Sequence, residues 1–124
     1  MYGLKQEQII NSDMVSYLKK TSTTFDVVSF LSVLHHFELD QHSIDPEEII
    51  KMIDKLTNKV LFFETGQSHE KAFGEKLSKW TDDFIISWLI ENTTFNHIID
   101  LGKDEDNIPP FQEYYSRTLF ACIR

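Results

Sequence analysis

Residues 25–37 read FDVVSFLSVLHHF. The first seven are almost all apolar, include the β-branched pair Val27-Val28, and contain neither Pro nor Gly. Such a run fits a strand covered on both faces, as inside a parallel sheet. Branched side chains favour the extended backbone at its start. The reading predicts a strand over residues 25–31, with the rest of the run able to turn into a short helix.

Toward the C-terminus the pattern alternates. Asp45 is placed to cap a helix, Pro46 suits its first position, and Glu48 stands where a capping box wants a carboxylate. Ile49, Ile50, Ile53 and Leu56 then recur at helical spacing, which predicts a helix over 46–57 with Asn58 as its stop. Residues 59–64, KVLFFE, read as a second buried strand ending in a glycine-containing loop. Thr81 caps a further helix reaching Asn92, with Asp82 and Asp83 favouring its dipole and Trp80 and Ile85 forming a hydrophobic staple. Residues 95–101 make a third strand, 102–110 an acidic loop with two prolines, and 117–123, RTLFACI, the last strand. This order implies an α/β fold with right-handed crossovers and a mainly parallel sheet. The last two strands have no helix between them, so they can pair antiparallel. Near the N-terminus, residues 8–11 read as a strand followed by a helix, although Leu4, Ile10, Met14 and Leu18 also fit one helical stripe.

Composition narrows the function classes. A chain of 124 residues makes one domain, and 41% hydrophobic with 13% aromatic residues gives it a real core. A net charge of -8 repels phosphate backbones, so nonspecific nucleic-acid binding is not expected. The lone Cys122 excludes an intrachain disulfide and, with no signal peptide apparent, points to a reducing, cytoplasmic setting. No apolar run approaches the roughly 18 to 20 residues of a membrane span.

The pair Phe25-Asp26, the two branched residues after it and the closing Leu34-His35-His36 resemble the fourth-strand signature of class I S-adenosylmethionine-dependent methyltransferases. The downstream elements are similar in order: a helix opening Pro-Glu-Glu, a fifth strand ending in Glu64, a sixth leading into Leu101-Gly102, and a last strand LFACIR. The resemblance covers about the last hundred residues. It implies a partial Rossmann-like sheet, mainly parallel with an antiparallel last strand and helices packed on its faces. It also implies that Ile9-Ile10 end the third strand, and that Asp13 accepts a hydrogen bond from the cofactor's adenine amino group, as an acceptor-only carboxylate can. Leu31 and Ser32 would line the methionine side, and Met14 would cover the adenine or pack as core.

The chain departs from the family where the cofactor is held. The glycine-rich loop after the first strand and the acidic residue of the second are missing, and the four glycines form no such pattern. The resemblance therefore implies a truncated C-terminal half, inactive without its missing N-terminal half, that acts on an unidentified methyl acceptor. Its exposed fourth-strand edge predicts pairing with that half or with a second copy. A different reading is a non-catalytic binding or regulatory module that pairs with a methyltransferase through a sheet edge.

Methyl transfer is an in-line displacement from a cofactor that carries its own leaving group, so protein residues position the reactants and take up a proton. Open α/β sheets place such groups at the carboxyl ends of strands. His35, Glu64 and His69 are the candidate catalytic residues there. For His35 and its neighbour His36 the competing reading is packing and solvent exposure. For Glu64, Gln67, Ser68, His69 and Glu70 it is a solvated loop capping the next segment. No metal-ligand spacing is present. Trp80 and Trp88 read as core, Tyr114-Tyr115 as packing or a pocket border, and Cys122 as inert.

Overall fold

The computed structural model describes residues 5, 9–40, 44–104 and 116–124. Its elements are α1 (Met14–Lys20), β1 (Phe25–Leu31), α2 (Leu34–Leu39), α3 (Pro46–Leu56), β2 (Thr57–Glu64), a 3-10 turn (Lys71–Phe73), α4 (Asp82–Asn92), β3 (His97–Lys103) and β4 (Thr118–Ile123). Residues 1–4, 6–8, 41–43 and 105–115, with the Tyr114-Tyr115 pair and most of the acidic loop, lie outside the described residues.

The four strands form one open sheet in the order β1-β2-β4-β3. β1 runs parallel to β2, with Leu31 opposite Glu64, while β4 is antiparallel to both β2 and β3. Three strands therefore point one way and the last is reversed between two of them. Counted by pairs, the sheet is mixed rather than mainly parallel. The antiparallel pairing of the last two strands is the one the sequence order allows.

Local chemistry accounts for the helices. Thr81 accepts a hydrogen bond from the Phe84 amide, and Trp80 and Ile85 are both buried, so the staple over α4 forms as read. In α3, Pro46 takes the first position, but the Asp45 side chain makes no capping bond; its carbonyl accepts from the Glu48 and Ile49 amides instead. The stop comes one residue early because Thr57 already opens β2.

Two boundaries differ from expectation. Residues 9–11 form no strand, and Ile9 and Ile10 are exposed. No described strand lies beside them to pair with. β3 begins at His97 rather than Phe95, because Phe95 turns into the core with the Arg124 guanidinium 4.3 Å from its ring centroid. Gly102, at φ 100°, then bends β3 at a register shift.

A larger correction concerns the faces of the sheet. Phe30, Leu61, Phe63, Phe120 and Cys122 join one buried cluster with Ile49, Ile50 and Ile53 of α3 and Ile85, Trp88 and Leu89 of α4. The opposite face carries Ser29, Phe62, Ala121 and Ile99 in one row across all four strands, and Val27, Val60 and Ile123 in the next. None of these belongs to the cluster. Phe25, Val27 and Leu31 are exposed, so β1 is an edge strand with one dry face, not a strand covered on both sides. Among the described residues, helices pack on one face only. The apolar run of β1 reports two potential packing faces, and only one is used here.

Candidate functional site

The carboxyl ends of β1 and β2 meet side by side, and polar side chains converge there. β1 stops at Ser32, whose φ of 60° turns the chain out of the sheet. That left-handed geometry is uncommon for a non-glycine residue. It is held by two bonds to one residue: the Ser32 amide donates to the Glu64 carbonyl at 3.0 Å, and Ser32 Oγ donates to Glu64 Oε1 at 3.0 Å.

Arg117, just ahead of β4, completes the cluster. Its Nη1 donates to Ser32 Oγ at 3.0 Å and to Glu64 Oε1 at 3.3 Å. Its Nε and Nη2 grip Glu70 at 2.8–3.1 Å. The Glu70 side chain is 2% exposed, that of Arg117 9% and that of Glu64 21%. Only Glu64 thus presents a carboxylate partly to solvent. Burial works against the charge of Arg117, but hydrogen bonds and attraction from Glu70, then Glu64, outweigh it and hold the guanidinium above its ordinary value.

The loop between β2 and α4 is tied down from inside. The Gln67 amide donates to Glu70 Oε2 at 2.6 Å, and Gln67 Oε1 accepts from the Thr118 amide at 2.7 Å. Gln67 Nε2 and Thr118 Oγ1 both donate to Asp82 Oδ1, at the start of α4. This loop is packed, not solvated: Thr65, Gln67 and Glu70 are all buried. Glu70 is a buried anchor for Arg117, which corrects the expectation of a surface loop.

His35 stands behind the cluster on α2. It is buried, and its Nδ1 accepts from the Gly66 amide at 3.1 Å. Burial, then the charges of Arg117 and His36, lowers its pKa to about 4. His35 is therefore a neutral imidazole with Nδ1 already engaged, and its ring packs on Phe73 at 5.2 Å and His36 at 4.3 Å. His36 is exposed, and so is His69 in the loop beside Glu70.

Of the residues read from the sequence, Ser32, Glu64 and Leu31 come together at the strand ends, and His35 lies directly behind them. Asp13 and Met14 are not joined to the cluster by any described bond. Asp13 caps α1, its Oδ2 accepting from the Ser16 amide at 3.0 Å and Ser16 Oγ at 3.1 Å. Met14 is half-buried against the core. Sequence reasoning does not bring Arg117, Asp82 or Thr118 to this site. The available signal is an arginine heading an apolar strand, opposite a loop containing a carboxylate.

Two clefts lie elsewhere. One of about 420 Å³ runs between α1 and α3, lined by Leu18, Lys19, Met52 and Lys55. One of about 610 Å³ lies at the far end of the sheet, beside Asp54 and Arg124. The described residues contain no cluster of side chains suited to a metal ion, and no described helix is long and apolar enough to cross a membrane. No family model matches the chain, and no curated protein matches it.

Proposed function

We propose that this chain supplies the acceptor-side half of an S-adenosylmethionine-dependent methyltransferase. The observation that carries the reading is the pairing of Ser32 and Glu64 at the carboxyl ends of two parallel strands, fixed by Arg117. Open α/β sheets bind ligands at this position. The turn from β1 into α2 within FDVVSFLSVLHHF, and the single reversed strand, agree with the family pattern the sequence resembles.

The described residues do not fit the cofactor by themselves. A cradle for it needs glycines with open space above the backbone. Gly66 is the glycine next to the cluster, and a Cβ there would meet Leu77, His35 and Phe73 at 2.9–3.1 Å, so that space is already filled. Asp13 is committed to capping α1. In this reading the cofactor is held by residues outside those described, or by another chain. The cofactor itself would supply the methyl group.

Within these limits the chain's own contribution is positioning. Ser32 and Arg117 occupy Oε1 of Glu64, which fixes the carboxylate's orientation. The second oxygen takes no hydrogen bond from any described residue. It can accept one from an O–H or N–H of the methyl acceptor, and so aim that atom's lone pair and receive its proton. Glu64, rather than His35, holds this role, because His35 is buried, neutral and engaged. His69 is exposed in the loop that follows β2. The lone thiol, Cys122, is buried, and burial, then Asp54, raises its pKa to about 12, which keeps it unreactive.

Among the described residues β1 has a strand on one side only, which favours a second reading, a non-catalytic module that lends this edge to another sheet. Calorimetric titration with S-adenosylhomocysteine separates the two. Micromolar binding upholds the methyltransferase reading, with the cradle completed by residues beyond the cluster. No heat at millimolar ligand overturns that reading for the chain on its own and leaves the binding module.

A further inference from the structure

The bare face of the sheet is a second surface, distinct from the strand ends. Phe25, Val27, Leu31, Ile99 and Leu101 keep 41–57% of their surface in water. With the half-buried Phe62 between them, the patch is on the order of 600 Å². That is the upper limit for a typical monomer, and most of the roughly 800 Å² that each partner contributes to a stable interface.

Charge narrows the occupant. The chain carries a net charge of -8, so two copies repel wherever charged surfaces meet. The rows Val27–Val60–Ile123–His97 and Ser29–Phe62–Ala121–Ile99 hold no carboxylate, lysine or arginine, and on this face Glu64 enters in the next row, opposite Leu31 at the strand ends. These two rows are a surface on which two such chains can meet without that cost, and an apolar sheet face is self-complementary about a two-fold axis.

We propose that the bare face packs against the same face of a second copy, forming a homodimer with the two sheets back to back and the helices outside. The inference is independent of the methyltransferase reading. It leaves the Ser32–Glu64 cluster at the rim and the β1 edge open. Two open β1 edges meeting side by side would make a different dimer, with the face still wet.

Sedimentation equilibrium on the whole chain, from about 1 to 100 μM, tests it. The expected mass is twice 14.6 kDa. Val27→Asp and, separately, Ile99→Asp each bury a carboxylate at the interface and are expected to raise the dissociation constant at least about 100-fold. Both positions are exposed in the single chain, so the circular dichroism of the variants stays that of the parent. A parent that sediments as a monomer throughout overturns the proposal. A dimer that survives both substitutions also overturns it, because its contact then lies elsewhere, the β1 edge included. If a variant does not fold, the parent alone decides: a dimer's thermal midpoint rises with concentration, and a midpoint that does not move refutes it.

Discussion

Replacing Arg117 by Met keeps most of the side-chain volume and removes the guanidinium. Glu70 then stays buried, its carboxylate 2% exposed, with the Gln67 amide as its remaining bond partner from the loop. Glu64 and Ser32 lose their shared donor. Breaking a buried ion pair from one side typically costs about 3–5 kcal/mol, because the abandoned charge is not rehydrated. For a chain of this size the thermal midpoint should fall by roughly 10–20 °C. Glu70→Gln in the same background removes the stranded charge while its side-chain oxygen can still accept from Gln67, and should restore about 2 kcal/mol. Urea unfolding followed by the fluorescence of buried Trp80 and Trp88 reads all four members of the cycle. The coupling energy should exceed about 1.5 kcal/mol. A cost below about 1 kcal/mol for Arg117→Met, or strictly additive singles, would refute the idea that this pair organises the strand ends.

Other outcomes depend on single contacts. His35 is held near pKa 4 in the folded chain against 6.5 when unfolded, so the unfolded state takes up the proton first as pH falls. Its contribution is complete above about pH 6.5 and is lost toward pH 4, amounting to about 3 kcal/mol. His35→Gln, whose side chain can still accept from Gly66, should flatten that part of the stability–pH curve relative to the parent; an unchanged slope would assign the effect to other groups. Gly66→Ala forces a methyl against Leu77, His35 and Phe73 and should cost about 1–3 kcal/mol, and a neutral result would mean that the loop relaxes freely. Asp13→Ala removes the cap of α1 and should cost about 1 kcal/mol without altering any S-adenosylhomocysteine titration. A loss of ligand binding in that variant would return Asp13 to the cofactor.

The strands and the long helices were legible because each is governed by its own residues. The bounds of β1 follow from a mostly apolar run of seven residues with the branched pair Val27-Val28 and no Pro or Gly, and those of α4 from Thr81, the staple and its apolar stripe. Periodicity could not say how many faces of β1 are covered, since a side chain facing a helix and one facing open solvent can both be valine. It was equally silent on Arg117, which acts through residues 47, 53 and 85 positions away. Glu64 was placed by strand-end logic, and Ser32 by the family resemblance. Glu70 was misread because a carboxylate in a polar loop looks solvated until its partner is known.

β4 is the last strand in sequence yet sits inside the sheet, between β2 and β3. β3 therefore has no route onto the sheet except through β4. The chain is synthesised from its N-terminus, so β3 waits for the strand that comes after it. Arg117 enters with that same strand, and Glu64 cannot be gripped until then. Assembly of the sheet and closure of the ion-pair cluster at the strand ends are thus one event. Loss of the segment from Arg117 through β4 would release β3 and leave Glu64 and Glu70 without their guanidinium in one step.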